Sequence, residues 1–176
     1  LLALTGLVVA AACERDPASP QADEALFAMH GGGDHEATLT PEIREQLAAL
    51  RELTAPFHDF EAAKDADYET PLTPCLAHPT EGAMGVHYGD PSLLDATVEL
   101  LAPETLLYEP QKNGKLRLVA IEYVVPFAAH PATADPPELM GQHFHANEEA
   151  GVWGFHVWLW RHNPSGLFAD FNPKVS

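Results

Sequence analysis

The chain has 176 residues, 46% of them hydrophobic, which is enough for one domain with a real core. Nine Lys and Arg stand against 26 Asp and Glu, a formal charge of −17. That balance excludes a nucleic-acid partner, because phosphate binding draws on clustered positive charge, while it concentrates cations near the surface.

Residues 1–13, "LLALTGLVVAAAC", are apolar and small. They are too few to cross a bilayer as a helix and match the apolar region of a secretory signal. Val9-Ala10-Ala11-Ala12-Cys13 is similar to a bacterial lipobox, in which Cys13 carries the lipid and becomes the first mature residue. The expectation is an exported lipoprotein of the cell envelope, on its periplasmic or extracellular face and anchored through Cys13, with the true start of the chain upstream. Cys75, the only other cysteine, is then expected to be buried or paired outside this stretch.

Residues 14–39 read as a flexible tether, rich in Asp, Pro, Gly and Glu without a sustained apolar period. Within it Met29, His30, Asp34, His35 and Glu36 form a patch able to hold a cation loosely. Residues 40–176 make a single globular domain. Thr40 as cap, Pro41 at the first position and Ile43, Leu47, Leu50 and Leu53 at helical spacing predict helix over about 41–66. Pro56 should interrupt it, with Thr54 available as a second cap.

The rest reads as strands. "AMGVHY" (83–88) is followed by Asp90-Pro91, which can open a helical turn. Residues 105–126 form a hairpin signal, with Asn113-Gly114 suited to a type I′ turn. Glu109, beside that turn, should be nearly silent to substitution. "GVWGFHVWLWRH" (151–162) alternates along its length and "NPSG" (163–166) closes it as a type I turn. Pro-flanked "TPCLAHP" reads as loop. The predicted fold is α+β, an N-terminal helical segment packed on a mainly antiparallel sheet.

Strand alternation places residues i and i+2 on one face. It groups His156 with Trp158, Trp160 and His162, and makes His143 and His145 a same-face pair. In the hairpin it sets Glu122 as the sole charge in a row of Leu116, Leu118, Ala120 and Val124. A carboxylate there needs a cation, strong donors or a proton. His87 lies inside another strand. The candidate metal ligands are therefore His87, Glu122, His143, His145 and His156, a set suited to a divalent transition metal such as Zn, Fe, Mn or Cu. The competing arrangement is Arg161 paired with Glu122 in a metal-free network. His162, beside the turn, is expected on the solvent side.

"HFHANEE", with His143, His145 and Glu149, is similar in spacing to the first cupin motif. Pro137 and His156 stand where its glycines belong, and too few residues follow His156 for the second motif, so that likeness is set aside. The stretches "FHDFEAAKDADYE", "GAMGVHYGDPSLLD", "ETLLYEPQKNGKLRLVAIEYVVP" and "HVWLWRHNPSGLFADFNP" resemble a family of uncharacterised exported bacterial proteins, many with lipoprotein signals. The resemblance implies export and a shared fold, with no established activity. The sequence thus points to an envelope lipoprotein acting as a binding module for a metal or small ligand. The alternatives are a small metal-dependent enzyme of oxygenase or isomerase type and a structural or interaction lipoprotein without metal. No phosphate-binding glycine loop, G-x-S-x-G elbow or C-x-x-C pair occurs.

Overall fold

The computed structural model describes residues 39–176; Cys13 and the His30–Glu36 patch lie outside the described residues. Helix α1 (Pro41–Thr54) begins as expected, with the Thr40 hydroxyl accepting from the Ile43 amide at 3.2 Å. Leu47 and Leu50 are its buried apolar residues. A 3₁₀ turn over Ala55–His58 follows, and helix α2 (Phe60–Asp65) restarts the chain. Its cap is Asp59, whose carboxylate accepts from the Glu61 amide, rather than Thr54. The Thr54 hydroxyl instead donates to the Leu50 carbonyl and accepts from the Trp160 indole.

Eight strands follow: β1 (Thr70–His78), β2 (Gly82–Gly89), β3 (Thr105–Pro110), β4 (Leu116–Pro126), β5 (Glu138–Leu139), β6 (Gln142–His143), β7 (His145–Asn147) and β8 (Val152–Val157). Six of them make one antiparallel sheet in the order β1-β2-β3-β4-β8-β7, and β5 pairs with β6. The α+β layout holds. Strand β1 covers the stretch expected to be loop. Pro71 and Pro74 cannot donate to a ladder, but β1 is an edge strand, where one flank needs no partner. Its pairing with β2 is correspondingly irregular.

The β3–β4 hairpin closes differently from the expected two-residue turn. The Gly114 amide bonds to the Gln111 carbonyl and the Gln111 amide to the Lys115 carbonyl, both at 2.8 Å. Gly114 has φ of 76°, whereas Asn113 is not in the left-handed region. A type I′ turn requires positive φ at both central residues, so this is a three-residue loop with glycine alone at the left-handed position. Glu109 also departs from expectation: it is buried, with Arg117 Nη2 at 2.9 Å from its Oε2. The "NPSG" turn closes as read, the Gly166 amide on the Asn163 carbonyl.

Alternation fails at two places that matter. Leu107 pairs with Ala120 and Tyr108 with Leu118, which leaves Val119 as an extra residue in β4. The bulge puts Leu118 with the helix-side core while Val119 and Ala120 face the other way, so Leu116 and Leu118 do not continue the row of Glu122. Beyond Val157 the chain leaves the ladder. Its Trp160 and Arg161 amides both turn to the Val119 carbonyl exposed by that bulge.

The sheet has two covered faces. Leu106, Tyr108, Ile121, Tyr123, Phe155 and Val157 pack with Leu47, Leu50 and Ala63 of the helical segment. Leu107, Val119, Ala120 and Trp158 pack with Ala83, Met84 and Val175, so the final residues form the second cover. Paired amide–carbonyl bonds between Ala83 and Asn172 hold that cover against β2. Gly82, at φ 99°, makes the approach possible: a Cβ there would meet the Asn172 carbonyl at 2.1 Å.

Candidate metal centre

The tail-side face carries the polar residues. Ile121 and Tyr123 point to the helical segment, so Glu122 between them points away; Phe155 and Val157 place His156 likewise. Glu122 and His156 are direct cross-strand partners on β4 and β8. His87, on β2, lies two strands from Glu122 across β3 and reaches it diagonally.

All three are nearly closed to solvent, His87 and His156 at 4% and Glu122 at 9% exposure. His87 Nε2 lies 3.4 Å from Glu122 Oε2, and His156 Nε2 lies 3.6 Å from Oε1. One ligand-capable atom from each residue lies within 4.8 Å of the other two, so this group could hold a metal ion. Two ligands about 2.1 Å from one ion at tetrahedral angles stand about 3.4 Å apart, which these separations approach.

The outer nitrogens face polar side chains behind them. His87 Nδ1 shares a 2.7 Å hydrogen bond with Oγ1 of its cross-strand partner Thr73. His156 Nδ1 faces Asp170 Oδ1 at 3.5 Å, and the same carboxylate oxygen lies 3.0 Å from His145 Nδ1. Both rings therefore turn Nε2 toward Glu122. Neither nitrogen of His156 has a partner at good hydrogen-bonding geometry, although both are buried; its carboxylate contacts are longer, charge-type ones.

The charges follow from this geometry. Burial, reinforced by the nearby His156, pushes His87 down to about 3, so its ring is neutral. Burial pushes the Glu122 carboxyl upward, toward a protonated acid. It also opposes charge on His156, but Glu122 and Asp170 on its two sides outweigh that and raise its affinity for a proton. Burial acts upward on Asp170 as well, yet the His145 and His156 rings hold it well below the usual carboxylate range. A proton between His156 and its carboxylates thus supplies positive charge that a cation could supply instead.

Gly154 makes room for the carboxylate. A Cβ at that position would stand 2.7 Å from Glu122 Oε1, so a side chain there and the observed carboxylate position exclude each other. His156 is also stacked on Trp158, with ring planes 13° apart.

No known protein family, curated protein or solved structure matches this chain. The structure brings together His87, Glu122 and His156 of the five expected ligands. His145 belongs to the next layer, through Asp170. His143 is exposed on the small β5–β6 hairpin, its nearest carboxylate oxygen that of Glu138 at 4.0 Å. Phe144, between them, is buried against Phe155 and Tyr123, which turns its two neighbours outward. The Arg161 competitor does not form: that guanidinium donates to the Lys174 carbonyl. His162 is exposed with Lys174 beside it. Asp170 was missed by sequence reasoning. It sits in an irregular segment without periodicity, and only the acid's place in "FADF", among apolar residues, sets it apart.

Proposed function

We propose that the protein is a metal-binding module of the cell envelope whose centre is His87, Glu122 and His156, taking a divalent transition metal such as Zn, Fe, Mn or Cu. The observation that carries this reading is convergence. Two buried imidazoles aim Nε2 at one buried carboxylate while Thr73 and Asp170 hold their Nδ1 atoms from outside. Metal-ligating histidines have this outer support, which sets tautomer and ring orientation. Two His and one carboxylate suit those metals, and the raised proton affinity of His156 marks where a cation is favoured.

Enclosure supports a binding module over an enzyme acting on a bulky substrate. His87 and His156 are 4% exposed and Glu122 9%, so the trio is closed to anything larger than an ion or a few small molecules. Envelope placement rests on the lipobox-like run ending at Cys13. Labelled fatty-acid uptake tests the anchor: wild type should take up the label and Cys13→Ser should not, and no uptake by wild type would end that part of the reading.

The direct test is elemental analysis of the full chain purified without an affinity tag, followed by melting with and without Zn²⁺, Cu²⁺, Fe²⁺ or Mn²⁺. A ligand of the native state raises stability by RT ln(1+[L]/Kd). His156→Ala should abolish the rise and His162→Ala should keep it. Metal-free protein with no thermal response to any of the four ions would end the reading.

A further inference from the structure

At the centre of the sheet one row of cross-strand partners runs Gly89, Thr105, Glu122, His156. Thr105 is thus the immediate neighbour of Glu122, on the strand that separates it from the strand of His87. Leu107, two residues on, belongs to the tail-side cluster, so the pleat turns Thr105 to the face of the trio. Directly opposed antiparallel residues hold their Cβ atoms about 4.5–5.5 Å apart, within reach of a shared bound molecule.

Thr105 is fully buried, and its hydroxyl has no hydrogen-bond partner in the protein. Valine would fill the same volume without that polar atom. A buried hydroxyl lacking a partner carries the cost of its lost hydration, so its presence directly beside a buried carboxylate calls for a bound molecule. His156, one strand beyond Glu122, also lacks a well-formed hydrogen bond, its nitrogens facing carboxylates at 3.5 and 3.6 Å. Thr105 and His156 thus flank Glu122 in one cross-strand row.

We infer that Thr105 is a positioning member of the metal centre, its hydroxyl hydrogen-bonded to a water molecule that occupies the coordination position left open by His87, Glu122 and His156. Three protein ligands leave a divalent ion of this type at least one position for solvent. Of the described side chains beside Glu122, Thr105 is the one with a free hydroxyl turned to the same face. The inference rests on the metal-binding reading above.

The test compares wild type, Thr105→Val and Thr105→Ser as full chains. It uses Zn²⁺ affinity by chelator competition, the visible spectrum of Co²⁺-loaded protein and the melting temperature without metal. Thr105→Val should bind Zn²⁺ about tenfold more weakly, the lower end of outer-shell effects, and change the Co²⁺ bands. Thr105→Ser should restore both, and the metal-free melting temperature of the Val variant should equal or exceed that of wild type. Wild-type affinity and bands in Thr105→Val would overturn the role of Thr105 and leave the metal reading standing. A fall in metal-free melting temperature with unchanged bands would overturn it too, by making the hydroxyl structural. A wild type that binds neither Zn²⁺ nor Co²⁺ would remove the metal reading itself. Should the Val variant not fold, Thr105→Ala gives the same readouts.

Discussion

On the face toward the helical segment, the tyrosine hydroxyls are matched within the protein: those of Tyr68, Tyr108 and Tyr123 donate to the Pro103, Phe57 and Leu100 carbonyls. On the face toward the tail, the Thr105 hydroxyl has no such partner, and the His156 nitrogens meet only carboxylates at 3.5 and 3.6 Å. The same four strands carry both faces, so the contrast is not one of strand quality or exposure. A matched polar group fixes the packing of its neighbours, whereas an unmatched one beside a buried carboxylate and imidazole marks a place prepared for something else.

The largest expected effect lies on the matched face. Leu50 is fully buried there, and Leu50→Ala should cost about 2–5 kcal/mol in chemical denaturation. The increment given by metal should be unchanged in that variant; a lost increment would show that the two faces are not separable.

Glu104 tests whether burial alone makes a carboxylate special. Its Oε2 accepts from the Val124 amide at 3.0 Å, and burial raises its pKa to about 7. The folded chain then binds more protons than the unfolded chain between pH 4.5 and about 7, so this contribution is present below 4.5 and lost as pH rises through 7. Glu104→Gln should flatten that part of the stability–pH curve, by on the order of 3 kcal/mol across the interval. A parallel curve for the variant would show that Glu104 is not the titrating group. Metal affinity should not change with it.

Two smaller effects sharpen the other face. Asp170→Asn should weaken Zn²⁺ binding by about 10–100-fold, because it supports His156 from behind. Affinity should also fall with acidity in wild type, since the ion must displace protons from His156 and Glu122. Equal affinities for Asp170→Asn and wild type would detach the outer layer from the site. The smallest expected effect is at His143, exposed and distant from the trio: His143→Ala should lie within about 0.5 kcal/mol of wild type and bind metal equally well. A loss of metal there would mean that the site extends onto the β5–β6 hairpin.

Much of the fold was legible because its signals are local. Thr40-Pro41 and the Leu47–Leu50 spacing announce α1, and alternation announces β8 and the inward Glu122. What failed depends on distant partners. Strand β1 hides behind prolines that only an edge position tolerates. The Val119 bulge has no mark of its own, since Leu118, Val119 and Ala120 would each suit either covered face. Three site residues were readable as charges or imidazoles inside apolar strands. Asp170 was not, because its role comes from the tail folding back over the sheet. His143 and His145 looked convergent from spacing, but they fall on different strands, His143 on β6 of the small hairpin and His145 on edge strand β7, where it meets Asp170 rather than Glu122.

Gly154 is defined by what it leaves out, and that has an evolutionary consequence. A Cβ there would strike the flexible end of Glu122 rather than backbone. An alanine would therefore be tolerated by the fold while moving the carboxylate off its two imidazoles. Positions 122 and 154 should therefore vary as one trait written at two places in the chain: lineages that keep the acid should keep the glycine, and those that lose either are free to lose the other.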